Sequence, residues 1–268
     1  MYHQYKIAMT NMLHLPEREE KPRTQGIAMM MDKGLSLRET EDLIQVAGHL
    51  IDFAKLGFGT SLVSRNVKEK VQLYRNAGIK VYVGGTFFEA CFIRKQIDFF
   101  EKYIDELSVD AVEISDGSMI IDQKEKCKYI AHFAKNRTVL SEVGAKDASV
   151  VADHRQWIEQ MKEELEAGSS YVIGEARESG TVGIYNHSGS ADTSLIEDIL
   201  KSIPSEKVIW EAPLKNQQVW FIKLLGYNVN LGNIAPADMI PLETLRLGLR
   251  GDTFFDFLPK EYQKFKLI

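Results

Sequence analysis

The sequence predicts an α/β fold, a single (β/α)8 barrel preceded by an N-terminal extension. Eight short apolar runs recur along the 268 residues, with amphipathic segments between them. Each run ends at or beside a Gly, Asp, Glu or Asn, which is typical of a strand that is buried on both faces and ends in a turn. One strand and one helix in roughly 25 to 35 residues is the spacing of a βαβ unit. No G-x-G-x-x-G turn follows the first run, which disfavours an open dinucleotide-binding sheet.

The predicted elements follow one another without a break. We expect residues 1–25 to form an extension packed on the barrel and residues 26–268 to form the barrel itself, because no linker or low-complexity segment divides the chain. The strands are predicted at Ile27–Asp32, Ile51–Gly59, Lys80–Gly85, Ala111–Ser115, Thr138–Gly144, Tyr171–Ala176, Val208–Ala212 and Asn228–Asn233. Helices are predicted at Glu69–Ala77, Gln123–Lys135, Arg155–Ala167 and Leu195–Ile203.

The composition disfavours several classes of protein. The 33 Lys and Arg against 38 Asp and Glu give a formal charge of −5, and such a surface repels a polyanion, so no nucleic-acid partner is expected. Cys91 and Cys127 have no Cys or His near them at ligand spacing, which indicates neither a disulfide framework nor a zinc site. Without a long apolar run, we expect a cytoplasmic protein that makes no membrane contact. The sequence leaves open whether the chain is a monomer or a homo-oligomer.

Charged residues within the predicted strands mark candidate functional positions. Helices cover the outer face of a barrel sheet, so a charged strand residue is tolerated only on the inner face. Strand alternation sends four carboxylates inward, those of Glu113, Glu142, Glu175 and Glu211. Lys55 lies within the second strand. All of these residues are near carboxyl ends of strands, the rim where barrel enzymes place their catalytic groups.

The four glutamates predict a metal site. Carboxylates on neighbouring strands repel one another unless a cation, a proton or a basic side chain lies between them. We predict that they bind Mg²⁺, because oxygen ligands without a paired His or Cys favour Mg²⁺ over zinc or iron. The alternative left open is that these acids pair with Lys33, Lys55, Lys146 and Arg177 as ion pairs without a metal.

Turns at strand ends and basic side chains predict anion binding. Exposed backbone N–H groups in a glycine turn after the third strand are able to hold a phosphate or another oxyanion, as are those near the last helix. The connection over residues 177–192 is unusually long and is interpreted either as a lid or as a mobile surface loop. The residues predicted to bind an anionic substrate are Gly84, Gly85, Arg177, Asn230, Arg246 and Arg250.

Nine blocks spaced along the chain carry a resemblance to a known family. They are Asp32-Lys33-Gly34, Lys55–Ser61, Gly84–Glu89, Glu113–Gly117, Ser141–Lys146, Glu175–Gly180, Glu211–Pro213, Asn230–Asn233 and Leu245–Phe254. The blocks fall at successive predicted strand ends. Taken together they resemble the phosphosulfolactate synthase family over nearly the whole chain, from about Gly26 to Phe254.

The resemblance implies a TIM-barrel enzyme of the carbon-sulfur lyase class. It implies Mg²⁺ as cofactor, phosphoenolpyruvate and sulfite as small anionic partners, and (2R)-2-O-phospho-3-sulfolactate as product. Lys146 resembles the family's lysine just beyond the fifth strand and is predicted to protonate C2 of the substrate, with Lys55 and Lys33 as the other candidates. A lysine suits this role if neighbouring positive charge or desolvation lowers its pKa.

Two other functions stay open. A relative that has become a stress-associated or binding protein without turnover would keep the same fold, and a plant branch of the family is associated with heat stress. A Schiff-base aldolase would instead use the amine of Lys55 or Lys146 to attack a carbonyl substrate.

Overall fold

The structure, a computed structural model, describes residues 12–144 and 153–267. Eight parallel strands form a nearly closed barrel, hydrogen-bonded in the order β3-β2-β1-β8-β7-β6-β5-β4. The strands are β1 Ala28–Asp32, β2 Phe53–Leu56, β3 Lys80–Val83, β4 Ala111–Ile114, β5 Thr138–Val143, β6 Tyr171–Gly174, β7 Val208–Glu211 and β8 Leu231–Ile234. The predicted (β/α)8 barrel is confirmed, although β8 begins at Leu231 rather than at Asn228.

Helices alternate with the strands and cover the outside of the sheet. Those in the described ranges are α1 Leu37–Ala47, α2 Thr60–Val63, α3 Val67–Asn76, α4 Gly85–Ile93, α5 Ile97–Leu107, α6 Gln123–Phe133, α7 His154–Glu166, α8 Thr193–Ser202, α9 Lys215–Leu225 and α10 Met239–Arg246. At the start of α1, Ser36 accepts from the N–H of Glu39 while the Glu39 side chain accepts from the N–H of Ser36, a capping box that satisfies two otherwise free donors. The helix segment after each strand returns the chain to the amino end of the barrel.

Alternate strand residues fill the interior of the barrel. The apolar lumen layer consists of Ile27, Met29, Phe53, Tyr82, Ala111, Leu140, Ile173 and Ile209. The opposite strand faces pack against the helices in a second, larger core. Side chains alternate along a strand, so the position two residues beyond the lumen layer also points inward. At the carboxyl ends of five strands this position is charged. These charged residues are Lys55, Glu113, Glu142, Glu175 and Glu211.

The described part of the N-terminal extension lies against the amino end of the barrel. Arg18 forms a salt bridge of 2.9 Å with Glu243 on α10. Arg23 pairs at 3.0 Å with Asp52, whose other carboxylate oxygen accepts from the N–H of Ala28 at the start of β1. The extension therefore covers the end opposite to the charged layer. Among residues 12–144 and 153–267, no helix is both long and apolar enough to cross a membrane.

Candidate active site

A buried acidic cluster lies at the carboxyl ends of β2 and β4 to β7. We use this name for Lys55, Glu113, Glu142, Glu175 and Glu211. Lys55 is 6% exposed and each glutamate is at most 2% exposed. The structure brings together the four acids that strand alternation sends inward, and it places Lys55, also singled out in the second strand, among them.

Lys55 lies in the middle of the cluster. Its Nζ atom is 2.9 Å from Oε2 of Glu113, 3.3 Å from Oε2 of Glu142 and 3.4 Å from Oε1 of Glu211. Burial disfavours the charged ammonium, but the attraction of these three carboxylates outweighs burial and holds the pKa of Lys55 well above its usual value. Lys55 is therefore a fixed positive charge at neutral pH.

Three of the glutamates are arranged as a set of metal donors. Glu142, Glu175 and Glu211 each offer a carboxylate oxygen, and these oxygens lie within 4.8 Å of one another. Glu113 is held differently, because its Oε1 accepts from the N–H of Gly85 at 2.6 Å and its Oε2 contacts Lys55. Burial is the main cause that raises the pKa of Glu113. The geometry thus separates three possible metal ligands, Glu142, Glu175 and Glu211, from Glu113, which makes the shortest salt bridge with Lys55.

Glu211 is oriented by two donors from neighbouring strand ends. Its Oε2 accepts from the N–H of Ala176 at 3.0 Å and from Nδ2 of Asn233 at 3.4 Å, which turns Oε1 toward Lys55. Burial raises the pKa of Glu211 to about 7, and the nearby charges of Glu142 and Glu113 add to this while Lys55 opposes it. A carboxyl with such a pKa exchanges its proton near neutral pH.

The N–H groups of Gly84 and Gly85, which the sequence predicts to hold a substrate anion, both donate to acceptors within the protein. The N–H of Gly84 donates to the carbonyl of Leu56 at 3.0 Å, and that of Gly85 donates to Glu113. A Cβ atom at Gly85 would lie 2.7 Å from Oε1 of Glu113. Glycine is therefore required here so that the start of α4 can approach the carboxylate closely.

Asn230 and Arg246 lie at the amino end of the barrel, so their predicted role in substrate binding is wrong. Asn230 precedes β8, accepts from the N–H of Ile27 at 3.0 Å and donates to the carbonyl of Glu206. Arg246 ends α10, is fully buried, and donates to the backbone carbonyls of Tyr227, Val229 and Ile27. The chain has returned to the amino end by the last turn of this helix, which explains the position of Arg246.

The remaining predicted residues lie around the mouth, at the surface or outside the described ranges. Lys33, after β1, forms an exposed salt bridge with Glu178, after β6. Arg177 is exposed in the same connection. Arg250 is half-buried, and its positive charge acts on the carboxylate of Asp252. Lys146 falls in residues 145–152, outside the described ranges.

The connection after β6 is folded onto the barrel. Nε2 of Gln217 on α9 donates to the carbonyl of Gly180 at 2.8 Å and to that of Gly189 at 3.2 Å. Gly183 has a φ of 82° and its Cβ position is filled by the carbonyl of Glu175, so only glycine fits there. These contacts place the connection beside the acidic cluster.

Asn233 is a site residue that sequence reasoning missed. Its Nδ2 donates to the carbonyl of Ala176 at 3.1 Å as well as to Glu211, and so it joins the ends of β6, β7 and β8. Its own φ of 56° is left-handed, a conformation that Asn tolerates better than most residues. An Asn within an apolar strand was the available signal.

A (β/α)8 barrel with ionisable groups buried at the carboxyl ends of its strands defines a barrel enzyme, since this is where such enzymes place their chemistry. The model of the (2R)-phospho-3-sulfolactate synthase (ComA) family matches residues 16–252. The chain belongs to this family.

Relatives agree with this assignment, and a solved structure shares the fold. The chain is 44% identical to a phosphosulfolactate synthase of Bacillus subtilis (strain 168) over 91% of its own length and 98% of the relative's. It is 40% identical to a phosphosulfolactate synthase of Methanothermobacter thermautotrophicus over 89% of this chain and 95% of that one. A crystal structure of 3-hexulose-6-phosphate synthase superimposes with a TM-score of 0.52 at 13% identity, covering 82% of this chain and 99% of that one, which shows a shared fold alone.

Proposed function

We propose that this protein adds sulfite to C3 of phosphoenolpyruvate in a Mg²⁺-dependent reaction and forms (2R)-2-O-phospho-3-sulfolactate. This makes it a carbon-sulfur lyase with two small anionic substrates. The observation that carries the proposal is the convergence of Glu142, Glu175 and Glu211 within 4.8 Å, in a chain of the phosphosulfolactate synthase family. We also propose that the reaction takes place in the cytoplasm, where the free thiols of Cys91 and Cys127 remain reduced.

The three converging carboxylates fit Mg²⁺. All their donors are oxygens that lie within 4.8 Å of one another, and Mg²⁺ is a small, hard cation that takes oxygen ligands at about 2.0–2.1 Å. Sulfite addition pushes electrons into the substrate carboxylate. When bound, Mg²⁺ supplies a positive charge that stabilises this extra negative charge.

The three candidate lysines differ in their surroundings and therefore in the role each can take. Lys55 keeps its positive charge beside Glu113 and so offsets part of the negative charge of the acidic cluster. This lowers the repulsion that two anionic substrates would meet there. The raised pKa of Lys55 is the opposite of what a proton donor to C2 needs, which argues against Lys55 in that role. Lys33 pairs with Glu178 at the exposed rim. We therefore retain Lys146 as the proposed acid.

The raised pKa of Lys55 also argues against an aldolase that uses this lysine. A Schiff base forms only from a neutral amine, and Lys55 is held protonated by three carboxylates. Borohydride trapping with a carbonyl substrate tests this alternative directly, because sulfite addition needs no imine.

The test is product formation by the purified protein. Sulfite, phosphoenolpyruvate and Mg²⁺ are incubated with wild-type protein, with wild-type protein in excess EDTA, and with the Glu142→Gln variant, and the adduct is measured by mass spectrometry. We expect the adduct with wild type plus Mg²⁺, and loss of at least about two orders of magnitude in the other two samples. Absence of the adduct with every divalent metal would overturn the proposal and favour a family member without turnover.

A further inference from the structure

A second buried charge cluster lies behind Glu142, on the helix side of the sheet. Its centre is Lys126 on α6, which is 1% exposed. The Nζ atom of Lys126 lies 2.8 Å from each of three oxygens: Oδ1 of Asp116, Oε1 of Glu164 and the backbone carbonyl of Glu142. Lys126 thus connects the segment after β4, helix α7 and the end of β5.

The carbonyl of Glu142 needs a donor at this point of the sheet. The next carbonyl along β5, that of Val143, accepts from the N–H of Glu175 on the β6 side. Successive carbonyls alternate along a strand, so the carbonyl of Glu142 points toward β4. β4 ends at Ile114, whose register partner is Ser141, and the regular ladder stops before Glu142. The ammonium of Lys126 takes the place of the missing strand donor.

The two acids around Lys126 hold it in position. Glu164 is fully buried and the side chain of Asp116 is 18% exposed. Gln123, one helical turn before Lys126, donates to the carbonyl of Gln160 and to Oε1 of Glu164 at 3.4 Å each. The three N–H donors of the ammonium are matched by three oxygens at 2.8 Å. Lys126 therefore holds the end of β5 from the helix side of the sheet.

We propose that Lys126 is a positioning residue for the metal ligand Glu142. By holding the backbone of Glu142, Lys126 keeps its carboxylate directed at Glu175 and Glu211. The proposal rests on the function proposed above. Lys126 is 1% exposed and acts through the backbone of Glu142. Residues behind a metal ligand commonly change metal affinity by about 10- to 100-fold when they are replaced.

The test is binding of Mn²⁺, a probe for Mg²⁺, to the metal-free protein, measured by titration with electron paramagnetic resonance. Lys126→Met removes the donor to Glu142. The double variant K126M/E164M also removes the buried acid that would be left unpaired, so it protects folding without restoring that donor. Two matched controls lie on the same helix: Lys124→Met changes an exposed lysine, and Ile130→Ala destabilises the outer core without touching Glu142.

We expect about 10- to 100-fold weaker Mn²⁺ binding in K126M and in K126M/E164M, and wild-type binding in both controls. If the double variant binds Mn²⁺ like wild type, or if I130A loses as much affinity as the double variant, the positioning role of Lys126 is overturned. If wild-type protein itself binds no Mn²⁺, the metal site of the proposed function is overturned instead.

Discussion

Oε2 of Glu113 lies 2.9 Å from Nζ of Lys55, closer than the oxygens of Glu142 at 3.3 Å and Glu211 at 3.4 Å. The other oxygen of Glu113 accepts the N–H of Gly85. Glu113 also lies outside the group formed by Glu142, Glu175 and Glu211, whose carboxylate oxygens lie within 4.8 Å of one another and are the set suited to a cation.

This division predicts unequal effects of two matched substitutions. Glu142→Gln should weaken Mn²⁺ binding by at least about 10²-fold because it removes a ligand, whereas Glu113→Gln should weaken it by less than about tenfold. Titration of both variants with Mn²⁺ measures the difference. Equal losses would return Glu113 to the ligand set, as strand alternation alone predicted.

Replacing Lys55 by Met should destabilise the metal-free protein strongly. The change leaves buried carboxylates without their central counter-charge, and breaking a buried ion pair from one side costs about 3–5 kcal/mol. Urea unfolding in EDTA measures this loss. We expect added Mg²⁺ to recover part of it, because a bound cation replaces the missing positive charge. A K55M variant as stable as wild type in EDTA would contradict the role assigned to Lys55.

The pKa of Glu211 predicts a pH dependence of stability. Burial raises this pKa from an ordinary 4.5 to about 7, so between these values the folded protein binds a proton that the unfolded chain does not. This contribution to the stability of the metal-free protein is therefore present below pH 4.5 and is lost as the pH rises through about 7. Glu211→Gln stays neutral and should lack this loss.

The measurement is the free energy of unfolding in EDTA for wild type and E211Q, from about pH 5.5 to about pH 8. We expect the stability of E211Q relative to wild type to increase with pH over this range. Parallel pH profiles for the two proteins would show that Glu211 does not titrate there.

Strand alternation was sufficient to predict the acidic cluster. Glu113, Glu142, Glu175 and Glu211 each follow an inward apolar residue by two positions, and this period holds even when the strand ends are misplaced by a residue or two. Distances between strands do not follow from that period, so the separation of Glu113 from the other three required the structure.

Asn230 and Arg246 show why other predictions failed. Because β8 starts at Leu231 rather than at Asn228, Asn230 precedes the strand and lies at the amino end, whereas Asn233 lies near the carboxyl end and contacts the site. The exposed N–H groups expected near the last helix suggest anion binding by Arg246, but the direction of α10 brings this residue to the amino end of the barrel. Arg246 donates to the carbonyls of Tyr227 and Ile27, and no local sequence pattern predicts hydrogen bonds to such distant residues.

The choice between two lysines tests the proposed proton transfer. Lys146→Met should lower kcat by about 10²- to 10⁴-fold, as expected when a general acid is lost, while Mn²⁺ binding and folding are retained. Lys33→Met removes only an exposed salt bridge with Glu178, and should change stability by at most about 1 kcal/mol and leave kcat nearly unchanged. Steady-state kinetics with sulfite and phosphoenolpyruvate compare the variants. The opposite pattern would transfer the acid role to Lys33.

The most direct test of the central claim is the position of a bound cation. Crystals grown with Mn²⁺ in place of Mg²⁺ would locate the ion by its anomalous scattering. We predict a peak within about 2.0–2.3 Å of a carboxylate oxygen from each of Glu142, Glu175 and Glu211. A peak that contacts fewer than two of these residues, or a fully loaded crystal with no peak between them, would contradict the account.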